Sequence, residues 1–298
     1  MITYDPKELK TSHLHSILLY SVAPRPIAFA STIDKDGNPN LSPFSFFNCF
    51  GSHPPILIFS PARRVRDNTT KHTLQNVFET DEVVINVVNY AIVQQASLAS
   101  VEYPKGVNEF VKAGFTPIES VKVKPFRVKE SPVQMECKVK QVIETGQEGG
   151  AGNLIICEAV LIHVNENIMD ADGHIDQQKI DLVARMGGDW YCRASGNALF
   201  KVEKPNTKIG IGIDSIPASI RNSHILTGNN LGQLGNVEEL PSKAAIEAFK
   251  TEDKIVNILE DITYDKQRKE TEIHLLAKNF LDKGCVIDGW KTLLAIND

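Results

Sequence analysis

Two long β-strand patterns near the middle of the chain constrain the fold more than any other feature. In the first, Val133–Gln141, apolar and polar side chains alternate, which is typical of a strand with one buried and one solvated face. The apolar positions are Val133, Met135, Cys137 and Val139, and the polar ones are Gln134, Glu136, Lys138 and Lys140. The second pattern, Asn153–Val164, is longer and more uniformly apolar. Both predict extended strands of an antiparallel sheet.

The first half of the chain adds short strands and few helices. The predicted strands are Ile27–Ile33, Asn40–Pro43, Pro55–Ser60 and Glu82–Val88, with a hairpin turn at Asp34–Asn38. The predicted helices are Leu14–Val22, one that is capped by Asn68, Thr69 or Thr70, and Ile92–Ser100. This composition of elements predicts a mainly β protein, a barrel or a sandwich, rather than a doubly wound parallel sheet.

A change of character near residues 196–206 predicts a boundary between a domain at 1–196 and a mostly helical C-terminal extension at 197–298. The predicted helices of the extension are Ser242–Phe249, Asp253–Ile262 and Lys266–Lys283. In the last, Ile273, Leu276, Ala277, Phe280 and Leu281 fall on one face, and Gly284 follows as a C-terminal cap. We expect this apolar face to pack on the barrel; binding of a partner is the alternative.

The glycine-rich segment Gly146–Gly152, which we call the glycine tip, is a candidate phosphate loop. It lacks the Gly-Lys-Ser/Thr ending of such loops and does not open a helix. It is therefore interpreted as a flexible hairpin tip between the two long strands.

Charge and composition exclude several classes of function. The formal net charge of −5 gives no electrostatic basis for binding nucleic acid or anionic membrane over a broad surface. The first residues resemble no secretory signal, and apolar runs such as Val83–Val88 are too short to span a bilayer. The five cysteines are scattered without a C-x-x-C pair, as expected for reduced thiols in a cytoplasmic protein.

Metal and hydrolase chemistry are not indicated either. His13 and His15 are two residues apart, but the chain has no H-E-x-x-H motif and no cysteine cluster, so no metal site is predicted. It also lacks the G-x-S-x-G motif of serine hydrolases.

The stretch from Ser42 to Asn76 carries the residues best suited to chemistry. It opens with Ser42-Pro-Phe-Ser-Phe-Phe-Asn48 and continues with hydroxyls, three arginines and Lys71 around a predicted helix start. Free backbone N–H groups, the helix dipole and charged side chains at such a start favour binding of phosphate. An aromatic slot beside an anion site suits a planar ring with a phosphorylated tail, such as FMN. The residues alone leave open an ordinary surface helix beside an aromatic core turn.

Several motifs occur in one order over roughly residues 10–195. They are Pro24-Arg-Pro-Ile-Ala28, Ser31-Thr32 with the Asp-Gly turn, Ser42-Pro-Phe-Ser-Phe-Phe-Asn48, Pro54-Pro55, Lys71-His-Thr73-Leu-Gln-Asn76 and Arg185-Met-Gly-Gly-Asp-Trp-Tyr191. This series resembles the flavin reductase-like family, FMN-binding split-barrel proteins related to flavoredoxin. The resemblance implies a split β-barrel with Greek-key strands, a homodimer, and one FMN per subunit near the dimer interface.

The resemblance also assigns cofactor-binding positions. Ser45, Phe46, Phe47 and Asn48 would border the flavin ring, partly through backbone groups. Arg25 lies in a family-like motif, but no contact is assigned to it.

The flavin tail has its own predicted set. Ser60, Lys71 and Thr73 would hold the ribityl chain and phosphate, while Arg66 and Asn68 are added on electrostatic grounds.

The activity implied by the resemblance is hydride transfer from NAD(P)H to FMN, followed by electron delivery to an acceptor protein or a free flavin. The flavin performs this chemistry, so no catalytic side chain is assigned. A flavoredoxin-type electron carrier without direct NAD(P)H activity, and a non-catalytic binding module, are the alternatives. No Rossmann fingerprint indicates which nicotinamide would be used.

Some positions depart from the family pattern or stay open. His72 stands where many relatives carry Asp, and the extension after residue 196 is longer than the usual family domain. Tyr191 is expected either near the flavin or in the core. The segment from Asn108 to Phe115 is expected either to close over the ring or to be a structural loop.

Overall fold

The computed structural model describes residues 1–205, 208–252, 255, 256, 258 and 266–296. The chain divides into two compact units, Met1–Phe200 and Lys201–Asp298. Among the described residues, all strands belong to the first unit, and the second is built from helices and loops. The predicted combination of a mainly β region and a helical C-terminal region is thus confirmed.

A seven-stranded antiparallel sheet forms the centre of the first unit. Its strands are β1 (Ala28–Ile33), β2 (Pro39–Phe44), β3 (Phe47–Ser52), β4 (Pro55–Phe59), β5 (Glu82–Val87), β8 (Val133–Glu144) and β9 (Asn153–Val164). Their order across the sheet is β2-β1-β5-β8-β9-β4-β3. Two small hairpins complete the strands, β6 (Pro117–Ile118) with β7 (Arg127–Val128) and β10 (Leu182–Arg185) with β11 (Tyr191–Ala194).

The two edges of the large sheet, β2 and β3, follow one another in the chain with only Ser45 and Phe46 between them. Seven flat strands would place the edges roughly 29 Å apart, at about 4.8 Å per step. The three residue steps from Phe44 to Phe47 span at most about 11 Å. The sheet must therefore curl until its edges approach at this end. The result is a barrel that is open along one side, which confirms the predicted split barrel.

Four α-helices belong to the same unit as this barrel. They are α1 (Thr11–Ser21), α2 (His72–Thr80), α3 (Val93–Leu98) and α4 (Glu109–Ala113). Single 3₁₀ turns occur at Pro6–Glu8, Tyr90–Ile92, Glu166–Ile168 and Gly196–Ala198.

Strand β1 lies between two apolar cores, and all six of its residues are buried. On one face, Ala28 and Ala30 join the core inside the barrel, which Leu74 of α2 covers. On the other face, Phe29 packs with a cluster that includes Phe110 of α4. Burial on both faces fixes β1 firmly, and with it the neighbouring edge strand β2.

The prediction that Asn68, Thr69 or Thr70 caps α2 is wrong. Lys71 is the N-cap residue, and its side chain makes no capping hydrogen bond. Asn68 instead adopts a left-handed backbone conformation with φ of 57°. Thr69 Oγ1 accepts a hydrogen bond from Arg64 Nη1 at 2.7 Å. The polar residues that look like helix caps in the sequence therefore shape the preceding loop.

The alternation predicted for β8 fails at Gln134 and Glu136, which are both buried. The Glu136 carboxylate accepts hydrogen bonds from the backbone N–H of Val121 at 2.9 Å and of Lys122 at 2.5 Å. It also lies 2.8 Å from Nε2 of His163. A bulge follows directly after Glu136 in the pairing with β9. Hydrogen bonding of the carboxylate and the shifted register thus override the simple period of two.

The second unit contains α5 (Ala218–Arg221), α6 (Gly228–Gly235), α7 (Lys243–Lys250), α8 (Lys266–Asp282) and α9 (Val286–Leu294). Its main core surrounds the fully buried Trp290, whose Nε1 donates to the Leu234 carbonyl at 3.0 Å. Ala277 and Leu281 of α8 belong to this core, which accounts for the apolar face of that helix within the unit. The predicted cap is confirmed, since Gly284 has φ of 76° and donates to the Leu281 carbonyl.

Helix α6 forms in a glycine-rich stretch of the second unit that was expected to be a loop. Thr227 and Asn230 stabilise the start of this helix through a reciprocal capping box. The predicted helix Asp253–Ile262 lies largely outside the described residues. Of the helices that are described, none combines the length and the apolar character needed to cross a bilayer.

Candidate functional site

A polar cleft lies where α2 begins beside the edge strand β2, and we call it the α2 cleft. It is formed by β2, the first turn of α2, the segment after α3, the start of α4, and residues 61–71, which we call the arginine loop. The lining residues are Asn40, Ser42, Arg64, Lys71, His72, Thr73, Ala99, Val101, Glu102, Tyr103 and Glu109. The cleft thus brings together two of the predicted tail-binding residues, Lys71 and Thr73.

Lys71 gives the cleft a positive charge. Among the described residues, no hydrogen-bond acceptor and no carboxylate lies within bonding distance of its ammonium group. Burial lowers the pKa of Lys71 from 10.5, and the charge of Arg64 lowers it further, while Glu102 and Glu109 act in the opposite direction. Lys71 remains a cation at neutral pH that is available to an anionic ligand.

His72 contributes a neutral ring at neutral pH. Burial lowers its pKa below the ordinary 6.5, and the charges of Arg64, Lys105 and Lys71 lower it further. A neutral imidazole adds no charge to the cleft, so this wall does not repel an anion.

The first turn of α2 supplies two backbone donors. In the part of the chain that the structure describes, nothing accepts a hydrogen bond from the N–H groups of His72 or Thr73. Unsatisfied donors at a helix start, together with the helix dipole, attract negative charge. The cleft therefore combines free backbone donors with the unpaired charge of Lys71.

Arg64 connects the arginine loop to the mouth of the cleft. Its Nη1 donates to Thr69 Oγ1 at 2.7 Å and to the Thr70 carbonyl at 2.9 Å. Its Nε donates to Glu102 Oε1 at 2.7 Å. These bonds fix the guanidinium between the loop and the segment after α3.

Two carboxylates keep the cleft from being uniformly basic. Glu109 is buried and accepts a hydrogen bond from the backbone N–H of Leu41 at 3.1 Å. Burial raises the pKa of Glu109, against the opposing effects of the Leu41 N–H and Lys71. Glu102 is exposed and paired with arginine. Among the described residues, no group of three or more potential ligands could hold a metal ion.

The glycine tip braces the arginine loop. The N–H of Arg63 donates to the Ala151 carbonyl at 2.8 Å, and the N–H of Gly150 donates to the Arg63 carbonyl at 2.9 Å. A Cβ on Gly149 would come within 3.0 Å of the Arg64 carbonyl oxygen. The tip predicted to be a free hairpin end is therefore packed against the loop, and glycine permits the close approach.

The predicted ring-binding residues lie together. Ser45 and Phe46 form a connection that we call the β2–β3 turn, and Phe47 and Asn48 begin β3. Phe46 is 39% exposed and meets His15 edge to face at 6.3 Å between ring centroids. Phe47 packs on the barrel core, and Asn48 is exposed. Since β3 pairs only with β4, its outer edge carries backbone groups without a strand partner.

Ser60 ties the β2–β3 turn to the barrel. Its N–H donates to the Phe46 carbonyl at 2.8 Å, and its Oγ accepts from the N–H of Asn153 at 3.0 Å. The hydroxyl is buried and already engaged. The arginine loop begins at the next residue, so Ser60 links the turn to the loop that leads to the α2 cleft.

Arg25 uses its charge inside the protein. Its guanidinium donates to the carbonyls of Leu19 at 2.6 Å, Val22 at 2.7 Å and Met186 at 2.8 Å. Its Nε also contacts Ser45 Oγ at 3.4 Å. Burial lowers the pKa of Arg25, and the neighbouring charge of Arg185 adds to this effect. Through its contact with Ser45, Arg25 helps to hold the β2–β3 turn in position.

Arg66 and Asn68, added on electrostatic grounds, do not line the α2 cleft. Arg66 pairs with Asp67 at 3.0 Å and with Glu102 at 2.9 Å. Asn68 Oδ1 accepts from Arg63 Nε at 2.7 Å. Both side chains organise the arginine loop, and a direct contact of either with a cofactor stays a prediction.

The sequence interpretation left Arg64, Asn40 and Glu102 out of the site. Arg64 is one of three arginines in four residues, and nothing in the spacing distinguishes the one that faces the cleft. Asn40 and Glu102 come from separate parts of the chain, so only the fold brings them to α2.

For two segments that the sequence left open, the structure favours a place in the core. Tyr191 packs against the outer core cluster, with the Arg185 guanidinium 4.7 Å from its ring centroid. Phe110 and Phe115 are both buried in that same cluster. The segment from Asn108 to Phe115 therefore serves mainly as structure.

The family model described as "Flavin reductase like domain" matches residues 20–179, which include both the β2–β3 turn and the α2 cleft. This chain belongs to the flavin reductase-like family. Among its relatives, an uncharacterized protein of Aquifex aeolicus is 39% identical over 196 residues, covering 66% of this chain and 97% of that protein. The resemblance inferred from the motifs is confirmed.

Two solved structures show a similar architecture. Nitrilotriacetate monooxygenase component B from Bacillus cereus is 28% identical, with a TM-score of 0.63, over 68% of this chain and 98% of that chain. A Shewanella frigidimarina protein with a split barrel domain is also 28% identical, with a TM-score of 0.57, over 68% of this chain and 100% of that chain. The second unit lies outside the family match.

Proposed function

We propose that this protein binds FMN and acts as an NAD(P)H-dependent flavin oxidoreductase that passes electrons to an acceptor protein or a free flavin. The observation that carries the proposal is the α2 cleft of a flavin reductase-like barrel. There the unpaired Lys71 and the free N–H groups of His72 and Thr73 meet.

The cleft suits the phosphorylated tail of FMN. A phosphomonoester would accept hydrogen bonds from the two N–H groups at the start of α2 and pair with Lys71. The empty space of the cleft is about 290 Å³ and includes solvent at its open mouth. We therefore place only the phosphorylated tail of FMN in the cleft, with the flavin ring lying outside.

The edge of β3 suits the ring. Phe46 offers an exposed aromatic face, and the outer edge of β3 has no neighbouring strand among the described residues. When bound, FMN supplies the hydride-accepting chemistry. The protein's part is to orient the ring and to place backbone donors where negative charge develops. No side chain is required to gain or lose a proton in this scheme.

A homodimer belongs to the same proposal. All eleven residues of α1 are described and none is buried, although Leu14, Ile17, Leu18 and Leu19 are apolar. Phe50 of β3 is 63% exposed as well. Apolar surface of this kind commonly marks a contact with another protein. A second copy covering α1 and β3 would place each flavin near the subunit interface.

An anaerobic titration tests the activity. The protein is reconstituted with FMN and mixed with NADH or NADPH, and absorbance near 450 nm is followed. Bleaching by either nucleotide supports the oxidoreductase. Tight FMN binding without bleaching would favour an electron carrier, and failure to bind FMN at all would overturn the proposal in favour of a binding module.

The likeness to a monooxygenase component supports onward electron delivery. Component B of nitrilotriacetate monooxygenase is, by its name, one part of a system with more than one component. A corresponding partner of this chain would receive either reduced flavin or electrons. Sedimentation of the purified protein, alone and with a candidate acceptor, tests both the dimer and this interaction.

A further inference from the structure

Glu102 lies at the mouth of the α2 cleft and joins two arginines. Its Oε1 accepts a hydrogen bond from Arg64 Nε at 2.7 Å, and its Oε2 accepts one from Arg66 Nη2 at 2.9 Å. These bonds lower the pKa of Glu102, with the Arg66 contribution the largest. The carboxylate thus occupies one donor of Arg64 and one of Arg66. Arg64 lies in the α2 cleft together with Lys71 and the free N–H groups at the start of α2.

The segment that carries Glu102 is otherwise loosely packed. Residues 100–107 are all exposed or half-buried. A Cβ on Gly106 would meet no atom within 4 Å. The ring of Tyr103 makes a long contact with the Lys112 ammonium, 5.8 Å from its centroid. The two ion pairs with arginine are therefore the main contacts that hold Glu102 in place. An anion that binds these arginines more strongly can displace the carboxylate.

We propose that Glu102 is a specificity-determining residue of the flavin site, an internal carboxylate that competes with the ligand phosphate for Arg64. The proposal rests on the proposed function, since it takes FMN as the ligand. A phosphomonoester carries up to two negative charges and three acceptor oxygens, against one charge and two oxygens on Glu102. The phosphate therefore displaces Glu102, whereas a flavin without phosphate leaves the pair intact.

This competition has a measurable consequence. Without the Glu102 charge, Arg64 keeps its bonds to Thr69 and Thr70 but is no longer paired with a carboxylate, so the phosphate no longer has to break an ion pair. Glu102→Gln should tighten FMN binding by up to about fivefold, the size expected for the loss of an exposed ion pair. Riboflavin has the same ring and ribityl chain but no phosphate, and its affinity should not change.

The experiment is a fluorescence titration of the full-length protein with FMN and with riboflavin, in the wild type and in variants. Glu166→Gln is the matched control, because Glu166 is an exposed glutamate of the same unit on a surface 3₁₀ turn. It removes the same charge and should leave both affinities unchanged. In an Arg64→Met background, Glu102→Gln should no longer tighten FMN binding.

The outcomes separate the two proposals. If the wild type binds neither flavin, the proposed function fails and this inference fails with it. If the wild type binds FMN but Glu102→Gln leaves that affinity unchanged or weakens it, FMN binding stands and the inference is overturned. Weaker binding would mean that Glu102 holds Arg64 in place for the phosphate. Equal tightening of riboflavin and FMN would also overturn it, because the effect would not depend on phosphate.

Discussion

Asn40 on the edge strand β2 donates a hydrogen bond from Nδ2 to Thr73 Oγ1 in the first turn of α2, at 2.9 Å. The same Nδ2 lies 3.3 Å from Thr32 Oγ1 on β1. All three side chains are buried. This contact joins the sheet to the helix start and so fixes the position of the free donors in the α2 cleft.

Asn40→Ala tests this contact. Removing the amide leaves two buried hydroxyls with fewer partners, so we expect the free energy of unfolding to fall by about 1–3 kcal/mol. Urea denaturation measures the loss. Asn38→Ala is the control, because Asn38 Nδ2 bonds only to Asp34 at 3.0 Å in the hairpin turn. An equal loss in both variants would show that the link to α2 adds nothing.

Lys71→Met tests the charge in the cleft. If Lys71 pairs with phosphate, FMN binding should weaken about ten- to hundredfold, from the loss of a charge-assisted hydrogen bond worth about 1.5–3 kcal/mol. Riboflavin binding should be unchanged. Lys129→Met removes an exposed lysine elsewhere in the barrel unit and serves as the control. Unchanged FMN affinity in Lys71→Met would remove this residue from the site.

Glu136 gives the fold a pH dependence. Hydrogen bonds from Val121, Lys122 and His163 outweigh the opposing effect of burial and hold the pKa of Glu136 below the ordinary 4.5. A carboxyl with a lowered folded-state pKa stabilises the protein above its unfolded-state pKa, and this stabilisation disappears as the pH falls through the folded value.

Glu136→Gln should therefore cost about 1–3 kcal/mol near neutral pH. The difference from the wild type should shrink as the pH is lowered from neutral through the lowered pKa of Glu136, because the wild-type carboxyl becomes protonated there. Urea midpoints at several pH values measure both effects. A difference that stays constant over this range would contradict the assigned charge.

Gly187 and Tyr20 are in close contact. A Cβ on Gly187 would lie 2.4 Å from Cγ of Tyr20, so Gly187→Ala must displace the tyrosine ring. Overpacking in a core costs about 1–3 kcal/mol, and we expect less here because Tyr20 is 60% exposed and its ring can move toward solvent. In a Tyr20→Ala background the same change should cost much less, and a double-mutant cycle of thermal stabilities measures the coupling. Purely additive effects would mean that the ring is not the obstacle.

Several elements could be predicted from local signals along the chain. The strand character of β8, the apolar run of β9 and the hairpin at Asp34–Asn38 follow from side-chain period and turn chemistry, which act over a few residues. The apolar face of α8 and the glycine after it are local in the same way. The motifs from Pro24 to Tyr191 were likewise enough to identify the family, because their order and residue types are properties of the chain alone.

The way in which those elements form a site depends on the folded chain. Lys71 looked like a member of the helix and proved to be its cap, since Asn68 and Thr69 are engaged within the arginine loop. Glu136 looked solvent-facing and is buried, because a distant loop supplies its donors. Asn40 and Glu102 reach the α2 cleft from elements far apart in the chain. Hydrogen bonds and ion pairs between such elements depend on three-dimensional proximity, which the spacing of residues along a chain does not encode.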